Sequence, residues 1–274
     1  MSYTHIVLDV DGTTLDSHHQ LSPRVERTLR AASAAGVGII FATGKQYGTI
    51  APLVTRLDLS GDHICLNGAA IVESATRLPR HLVTLAEADR AMVLELLDTA
   101  APQLPAAHFS ANEIYVDERM RPYLPIFTAY GEAMPTVVES LLAGALPAAA
   151  KILLAGLPAD VAAVRVAVSE RLGDRVTVTT TMPEFLEFFH RDISKGAALR
   201  RLASDQGIDL ARVIAIGDGE NDVPMLQAVG MPVAMGNARP QALAVARRVA
   251  PTNDEDGVAV VLEGLLKGIS QPVE

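Results

Sequence analysis

The sequence predicts an α/β fold: a doubly wound, mainly parallel sheet into which a second, α+β domain is inserted. Short apolar runs at 6–8, 37–41 and 213–216 alternate with helical segments, and this rhythm is typical of a parallel sheet covered on both faces. Near residue 80 the rhythm changes to strands of alternating polarity. That change favours an antiparallel sheet with helices on one side and one wet face. The first rhythm returns at Ser194.

Capping and helix-breaking residues give the boundaries of the elements predicted for the core. Ser22 and Pro23 are typical of an N-cap and a first helical residue, and the helix that they begin stops at Gly36. Pro52 kinks the next helix or moves its start later along the chain. The predicted core elements are strands at 6–8, 37–41, 64–66, 213–216 and 231–235, and helices at 23–35, up to 57, at 194–206, from 239 and from 256.

The inserted domain is predicted to take residues 80–189, which leaves residues 1–79 and 190–274 to the core domain. Its predicted elements are a helix at 87–100, strands within 108–116, a strand at 151–154, a helix at 159–172 and a strand at 175–179. Residues 268–274 are predicted to form a frayed tail.

Size, charge and cysteine usage exclude several classes of protein. The chain has 274 residues, enough to bury a substantial core, and its net charge of −9 argues against binding nucleic acid or an anionic membrane. Cys65 is the single cysteine, so no intrachain disulfide can form. The longest Ala/Leu-rich stretch, 141–157, is interrupted by Pro147 and Lys151, and no signal peptide is recognisable. We therefore expect a cytoplasmic protein without a membrane span, and find no signal for an oligomeric state.

Two carboxylates, Asp9 and Asp11, follow the first apolar run. Alternation along a strand would place both on the same side. Like charges at that spacing repel unless a cation or a shared proton relieves them. Taken alone, the pattern fits a turn at Gly12 as well as it fits a functional site.

Other polar residues stand at the same predicted edge of the sheet. Thr43 and Gly44 follow the second strand, Asn67 follows the third, and each alone fits a turn. Lys195 lies in the first turn of a helix, where the dipole disfavours a cation by about 0.3–1 kcal/mol. It is either a solvated lysine or, together with the helix N-terminus, an anion site. Ligands of open α/β sheets bind outside the carboxyl ends of the strands, so we expect these residues to meet Asp9 there.

The segment Gly217 to Asp222 is acidic and follows another predicted strand. It nearly matches the dinucleotide fingerprint G-x-G-x-x-G, but Asp222 replaces the third glycine and the acidic side chains would repel a pyrophosphate. Carboxylates clustered at a strand end suit a hard divalent cation instead. Asn221 and Asp222 also fit the role of helix caps.

In order along the chain, these segments resemble the four motifs of the haloacid dehalogenase-like phosphohydrolases. The insertion between the second and third motifs resembles a C2-type cap, as in the Cof-type subfamily, and so do the closing segments 235–238 and 253–258. The resemblance covers essentially the whole chain. It rests on Asp9-Val10-Asp11-Gly12-Thr13, Thr43-Gly44, Lys195-Gly196 and Gly217-Asp218-Gly219-x-Asn221-Asp222.

The resemblance implies a role for each matching residue. Asp9 would attack phosphorus and form an aspartyl-phosphate, and Asp11 would act as the acid and then the base. Thr43, with Gly44, and Lys195 would hold the phosphoryl oxygens. Mg²⁺ would be bound by Asp9, the main-chain carbonyl of Asp11 and Asp218, with Asn221 and Asp222 in support. Phosphoryl transfer needs this combination of an in-line nucleophile and positive charge around the equatorial oxygens.

Two positions depart from the family's pattern. Lys45 stands where an arginine usually follows Thr-Gly, which keeps the charge but loses the planar fork. The segment before Lys195, which includes His190 and Arg191, is more charged than expected. We hypothesise that Lys45, Asn67 and one of His190 and Arg191 face the substrate.

These observations predict a Mg²⁺-dependent phosphatase that acts on small phosphate esters. Sugar phosphates are the expected substrates, with pyridoxal and nucleotide phosphates as alternatives. A sugar phosphomutase on the same core and a phosphoryl-receiving signalling domain are the rival functions. The signalling domain is the strongest rival from a different class, but such domains are much shorter and lack the second aspartate.

Overall fold

The structure is a computed structural model that describes residues 3–129, 131–143 and 145–266, without the side chain at 126. The predicted tail at 268–274 lies outside these residues. The strands are β1 (His5–Leu8), β2 (Gly38–Phe41), β3 (Asp62–Cys65), β4 (Ala70–Glu73), β5 (Pro79–Leu82), β6 (Ala106–Phe109), β7 (Ile114–Val116), β8 (Thr136–Val137), β9 (Lys151–Ala155), β10 (Val176–Thr179), β11 (Phe185–His190), β12 (Val213–Gly217), β13 (Met231–Ala234) and β14 (Arg248–Val249). The helices are α1 (Pro23–Ala34), α2 (Tyr47–Arg56), α3 (Glu87–Ala100), α4 (Leu124–Ala129), α5 (Pro158–Leu172), α6 (Lys195–Gln206), α7 (Val223–Leu226), α8 (Pro240–Val245) and α9 (Gly257–Leu265).

The first and last parts of the chain share a five-stranded parallel sheet with the order β14-β13-β12-β1-β2. Alternate residues of β1 face opposite sides of this sheet. Ile6 and Leu8 belong to a buried cluster with α1 and α9, and Val7 belongs to another with α6, α7 and α8. The predicted doubly wound α/β arrangement is therefore confirmed. It places β1 in the interior of the sheet, between β12 and β2.

A small antiparallel sheet, β3-β4-β5, lies next to β2, the edge strand of the parallel sheet. A parallel bridge between Ala42 and Ile64 connects β3 to the end of β2. Strands β4 and β5 were not predicted from the sequence. Short, half-polar segments such as β5 become strands only because a neighbouring strand supplies their hydrogen bonds.

The middle of the chain forms a six-stranded sheet with the order β10-β11-β9-β6-β7-β8, antiparallel except between β7 and β8. Ile152 and Leu154 of β9 pack in a buried cluster with α3 and α5. Leu153 and Ala155 point the other way, into the cluster that includes the parallel sheet. The expectation that one face of this sheet is exposed to solvent was therefore wrong for β9, which is buried along its whole length. The second face is covered because it lies over the edge of the parallel sheet.

The predicted domain boundaries fall inside elements of the structure. The boundary at 79/80 lies within β5, and the boundary at 189/190 lies within β11. Strand β11 was absent from the sequence analysis, although its segment is almost continuously apolar. In the part of the chain that the structure describes, no helix has the length and apolar character needed to cross a membrane.

Helix α6 begins with a side-chain cap. The hydroxyl of Ser194 accepts a hydrogen bond from the backbone N–H of Ala197 at 3.0 Å. We expect Ser194→Ala to lower the free energy of unfolding by about 1 kcal/mol, because one orphan N–H of the first turn loses its acceptor. Urea denaturation measures this difference.

The matched control is Ser204→Ala, which makes the same change at an exposed position of the same helix. It should leave stability unchanged or slightly higher, since alanine has the greater helix propensity. Equal effects of the two substitutions would contradict the capping role of Ser194.

Candidate active site

Three polypeptide segments meet at the carboxyl edge of the parallel sheet. Asp9 follows β1, Thr43 lies just beyond β2, and Asp218 follows β12. The backbone N–H of Asp9 donates to the carbonyl of Ile216 at 3.0 Å, which extends the pairing of β1 with β12 by one residue. The strand order thus brings together residues about two hundred positions apart.

Lys195, the first residue of α6, has no exposed surface. Its ammonium donates to Asp9 Oδ1 and to Asp222 Oδ1, both at 2.6 Å. Burial by itself lowers the pKa of Lys195, but the carboxylates of Asp222 and Asp9 outweigh burial and raise it above its usual value. Lys195 is therefore neither a solvated lysine nor part of the cavity wall. It is a permanent counter-ion beneath Asp9.

Asp222 organises the loop after β12. Its Oδ1 accepts from Lys195, and its Oδ2 accepts from the backbone N–H groups of Asp218 and Gly219, both at 2.9 Å. Both oxygens of this fully buried carboxylate are thus engaged by the protein. Asp222 is a positioning residue, and the loop presents Asp218 rather than Asp222 to the cavity.

Asp218 is oriented by the turn that follows β1. The hydroxyl of Thr13 donates to Asp218 Oδ1 at 3.0 Å. Gly12 has φ of +73°, and a Cβ built there would lie 2.6 Å from Asp218 Oδ2. Only glycine satisfies both conditions. Burial and the nearby Asp222 carboxylate raise the pKa of Asp218 to about 6, despite the opposing hydrogen bond from Thr13.

The carboxylates of Asp9, Asp218 and Asp222 form an acidic cluster in which one oxygen of each lies within 4.8 Å of the others. Burial raises the pKa of Asp9 well above its usual value, and Asp222 and Asp218 add to this effect while the Lys195 ammonium opposes it. Among the ion pairs of the described residues, Lys195 is the cation that contacts this cluster. A second positive charge would therefore stabilise it strongly.

Asp11 faces the cavity but stands apart from the cluster. Its Oδ1 lies 3.0 Å from Lys45 Nζ and 3.2 Å from His19 Nδ1. Asp9 and Asp11 face the same side, as expected, but strand alternation is not the cause, because β1 ends at Leu8. A tight turn at 10–14 brings both carboxylates to the cavity wall instead. His19 was not among the residues predicted from the sequence.

Thr43, Gly44 and Lys45 form the loop beyond β2. The Thr43 hydroxyl accepts from the Lys45 N–H at 3.2 Å, and the Thr43 N–H donates to Ile64 O at 2.9 Å. At Gly44 an added Cβ would lie 3.3 Å from the Asn67 side chain. All three loop residues line the cavity. The loop is held by the neighbouring strand β3 and leaves little space for larger side chains.

A buried polar network connects the six-stranded sheet to these loops. Asn67 donates to Glu187 Oε2 at 2.7 Å and accepts from the amide of Asn221 at 2.9 Å. Lys151 Nζ donates to Glu187 Oε1 at 2.7 Å and to Gly44 O at 3.2 Å. Lys151 and Glu187 were not predicted from the sequence as site residues. A charged residue within the apolar run Phe185–His190 was the signal available, since such residues are buried only when paired.

A cavity of about 490 Å³ lies between the carboxyl edge and the six-stranded sheet. Of the predicted site residues, the wall includes Asp9, Asp11, Thr43, Gly44, Lys45, Asp218 and Asn221. Asp222, Lys195 and Asn67 are buried behind that wall.

Arg191 does not reach the cavity. Its side chain is 66% exposed and lies 3.9 Å from Asp192, in the turn that follows β11. The hypothesis that Arg191 faces the substrate is therefore corrected, because the end of β11 directs this turn towards solvent. His190, at the end of that strand, is likewise absent from the cavity wall.

Comparisons with known proteins agree with this arrangement. The sequence profile of the haloacid dehalogenase-like hydrolases matches residues 6–262. Phosphatase YwpJ of Bacillus subtilis is 30% identical over 95% of this chain and 99% of its own length. The 5-amino-6-(5-phospho-D-ribitylamino)uracil phosphatase YcsE of B. subtilis is 27% identical over 93% of this chain and 92% of its own.

A solved structure shows the same fold. The haloacid dehalogenase-like hydrolase from Bacteroides thetaiotaomicron superimposes with a TM-score of 0.83 at 30% sequence identity, covering 96% of this chain and 100% of that one. The predicted resemblance is confirmed along nearly the whole sequence. This chain belongs to the haloacid dehalogenase-like hydrolase family.

Proposed function

We propose that this haloacid dehalogenase-like phosphatase hydrolyses small phosphate monoesters with Mg²⁺ through an aspartyl-phosphate on Asp9. The observation that carries the proposal is the position of the Asp9 carboxylate. It lines the cavity on one side, contacts Lys195 at 2.6 Å on the other, and lies beside Asp218. A nucleophile, a fixed cation and a second carboxylate thus converge at one point.

The donor set suits Mg²⁺, a hard cation that prefers oxygen ligands. Asp9 and Asp218 offer carboxylate oxygens, and the main-chain carbonyl of Asp11 is the third protein ligand that we propose. Asp222 is unsuitable as a direct ligand, because Lys195 and two N–H groups already engage its oxygens. The ion would supply positive charge against the phosphoryl oxygens and neutralise the cluster.

The chemistry divides between the two aspartates that line the cavity. Asp9 attacks phosphorus, the bond from phosphorus to the leaving oxygen breaks, and Asp11 gives that oxygen a proton. Asp11 then takes a proton from water, which attacks the phosphorus of the aspartyl-phosphate and releases inorganic phosphate and free Asp9. The contacts of Asp11 with Lys45 and His19 hold its carboxyl at the cavity wall, apart from Asp9, where the leaving oxygen would lie.

The remaining predicted residues bind and position the ester. Thr43 and the Gly44 N–H would hold phosphoryl oxygens from the loop beyond β2. Lys195 holds Asp9 in place from behind the cavity wall, and its positive charge would add to the attraction of the phosphoryl oxygens that the sequence predicted for it. Residues 80–189 would act as the cap, which excludes water when closed.

The rival functions predict different products. A phosphoryl-receiving domain would stop at the phosphorylated aspartate, whereas Asp11 equips this site for turnover. A phosphomutase would release an isomerised sugar phosphate without free phosphate. The sequence-based expectation of a sugar phosphate substrate stays a prediction. The relative YcsE is named for a substrate that carries a uracil ring.

Chelation tests the metal. In EDTA, release of phosphate from p-nitrophenyl phosphate should stop, and excess Mg²⁺ should restore it. Asp218→Asn should raise the Mg²⁺ concentration needed for half-maximal activity at least about tenfold, since it removes a proposed charged ligand. Asp205→Asn, at an exposed position of α6, is the control. Full activity in EDTA would refute the Mg²⁺ dependence.

Substitution of Asp9 tests the nucleophile. Asp9→Asn should abolish turnover, because an uncharged amide cannot form the acyl phosphate. Asp9→Ala should do the same. Phosphate release by Asp9→Ala above about one per cent of the wild-type rate would rule out Asp9 as the nucleophile.

Gly12 tests the orientation of Asp218. Gly12→Ala should lower kcat/KM more than about tenfold, because the new methyl group displaces the Asp218 carboxylate. Gly36→Ala is the matched control: Gly36 has φ of +83°, but a Cβ there meets nothing within 4 Å. Both variants should lose about 1 kcal/mol of stability from backbone strain. Equal activities of the two variants would contradict the role of this close approach.

A further inference from the structure

The wall opposite Asp9 is one face of the six-stranded sheet. On β9 the residues of this face are Lys151, Leu153 and Ala155, in alternation with Ile152 and Leu154 on the helix-covered face. The register places Phe109 beside Lys151, Glu187 beside Leu153, and Phe185 beside Ala155, and all six line the cavity. Four of these six side chains are apolar.

The two polar side chains of this face are already engaged. Lys151 and Glu187, 3% and 2% exposed, pair with each other at 2.7 Å. Lys151 also donates to Gly44 O and lies 4.2 Å from the centre of the Phe109 ring, and Glu187 accepts from Asn67. A sugar hydroxyl placed against this face would therefore compete with bonds that are already made.

Aromatic and apolar side chains extend the same surface. Phe127 of α4 lies 6.4 Å from Phe109 between ring centres, and Met182 precedes β11, and both line the cavity. Glu132, whose pKa is raised by burial, adds a carboxyl group to this end of the cavity. A second phosphate on the leaving group would thus meet the Glu132 carboxyl group, and the nearby cations Lys151 and Lys45 are paired with Glu187 and Asp11.

We propose that this face selects a phosphate monoester whose leaving alcohol carries a flat, uncharged aromatic or heteroaromatic ring, in preference to a polyhydroxylated sugar. The inference rests on the proposed function and names the substrate class of the same site. The ring would pack against Phe109, Leu153 and Phe185 while the phosphoryl group lies at Asp9. A cavity of about 490 Å³ has room for one ring and its phosphate.

The test compares benzyl phosphate with glucose 6-phosphate in the presence of Mg²⁺. Both are esters of primary alcohols, so their leaving groups are similar and the difference reports binding. We expect kcat/KM for benzyl phosphate to be at least about tenfold higher, mainly through a lower KM, because an apolar wall disfavours hydroxyl groups. Equal values, or a preference for glucose 6-phosphate, would overturn the inference.

A substitution in the wall gives the second measurement. Leu153→Asn should lower kcat/KM for benzyl phosphate about tenfold and leave that for glucose 6-phosphate unchanged or higher. Leu157→Asn makes the same change at a position that is 70% exposed, and should alter neither. If the Leu153→Asn variant does not fold, the milder Leu153→Ala replaces it. This variant should also reduce the preference for benzyl phosphate over glucose 6-phosphate. Parallel losses for both substrates in the Leu153 variants would overturn the inference.

The outcomes separate this inference from the proposed function. Turnover of p-nitrophenyl phosphate without the preference for benzyl phosphate would overturn the substrate class and leave the phosphatase activity standing. If none of the three esters (p-nitrophenyl phosphate, benzyl phosphate and glucose 6-phosphate) released phosphate, both the substrate class and the proposed function would be overturned.

Discussion

The site depends on the buried ammonium of Lys195 and its two carboxylate partners. Because both contacts are 2.6 Å and the lysine has no exposed surface, the pairing is made away from water. Removing one partner of such a buried pair costs about 3–5 kcal/mol, since a charge is left uncompensated. Asp222 carries the constraint further by holding the N–H groups of Asp218 and Gly219. One cation thus connects the end of β1, the start of α6 and the loop after β12.

A second buried ion pair connects the six-stranded sheet to the same edge. Lys151 reaches the carbonyl of Gly44, and Glu187 binds Asn67, which in turn contacts Asn221. The wall of the cavity is therefore aligned with the loops that carry the proposed phosphoryl and metal ligands. If the six-stranded sheet moved away from the loops, Lys151 and Glu187 would lose their hydrogen bonds to Gly44 and Asn67. Water would then hydrate the ion pair. The position of the wall and the integrity of the site are physically coupled.

Local signals predicted much of the fold. The helix Glu87–Ala100 has the predicted bounds, and the caps at Ser22 and Ser194 both accept the expected N–H bonds. Strands β4, β5 and β11 were missed, because each is only four to six residues long and becomes a strand by pairing with neighbouring strands. Periodicity placed Asp9 and Asp11 on one side correctly but for the wrong reason, since a turn follows Asp9 in place of the expected strand. Such signals act over a few residues. They fail where pairing with another strand determines the secondary structure of a segment.

By itself, the sequence determined the order of the motifs and the family. It also determined which kinds of side chain (carboxylate, hydroxyl and ammonium) follow the strands of the parallel sheet. Tertiary structure alone decided that Lys195 lies beneath Asp9 and that Arg191 points to solvent. It also decided that both carboxylate oxygens of Asp222 bind protein groups rather than facing the cavity. It also decided that Asn67 meets Glu187, 120 positions away. The physical reason is that ion pairs and cavity walls depend on which strands are neighbours. Strand neighbours are set by hydrogen bonding and burial summed over the whole chain, and no segment contains that information alone.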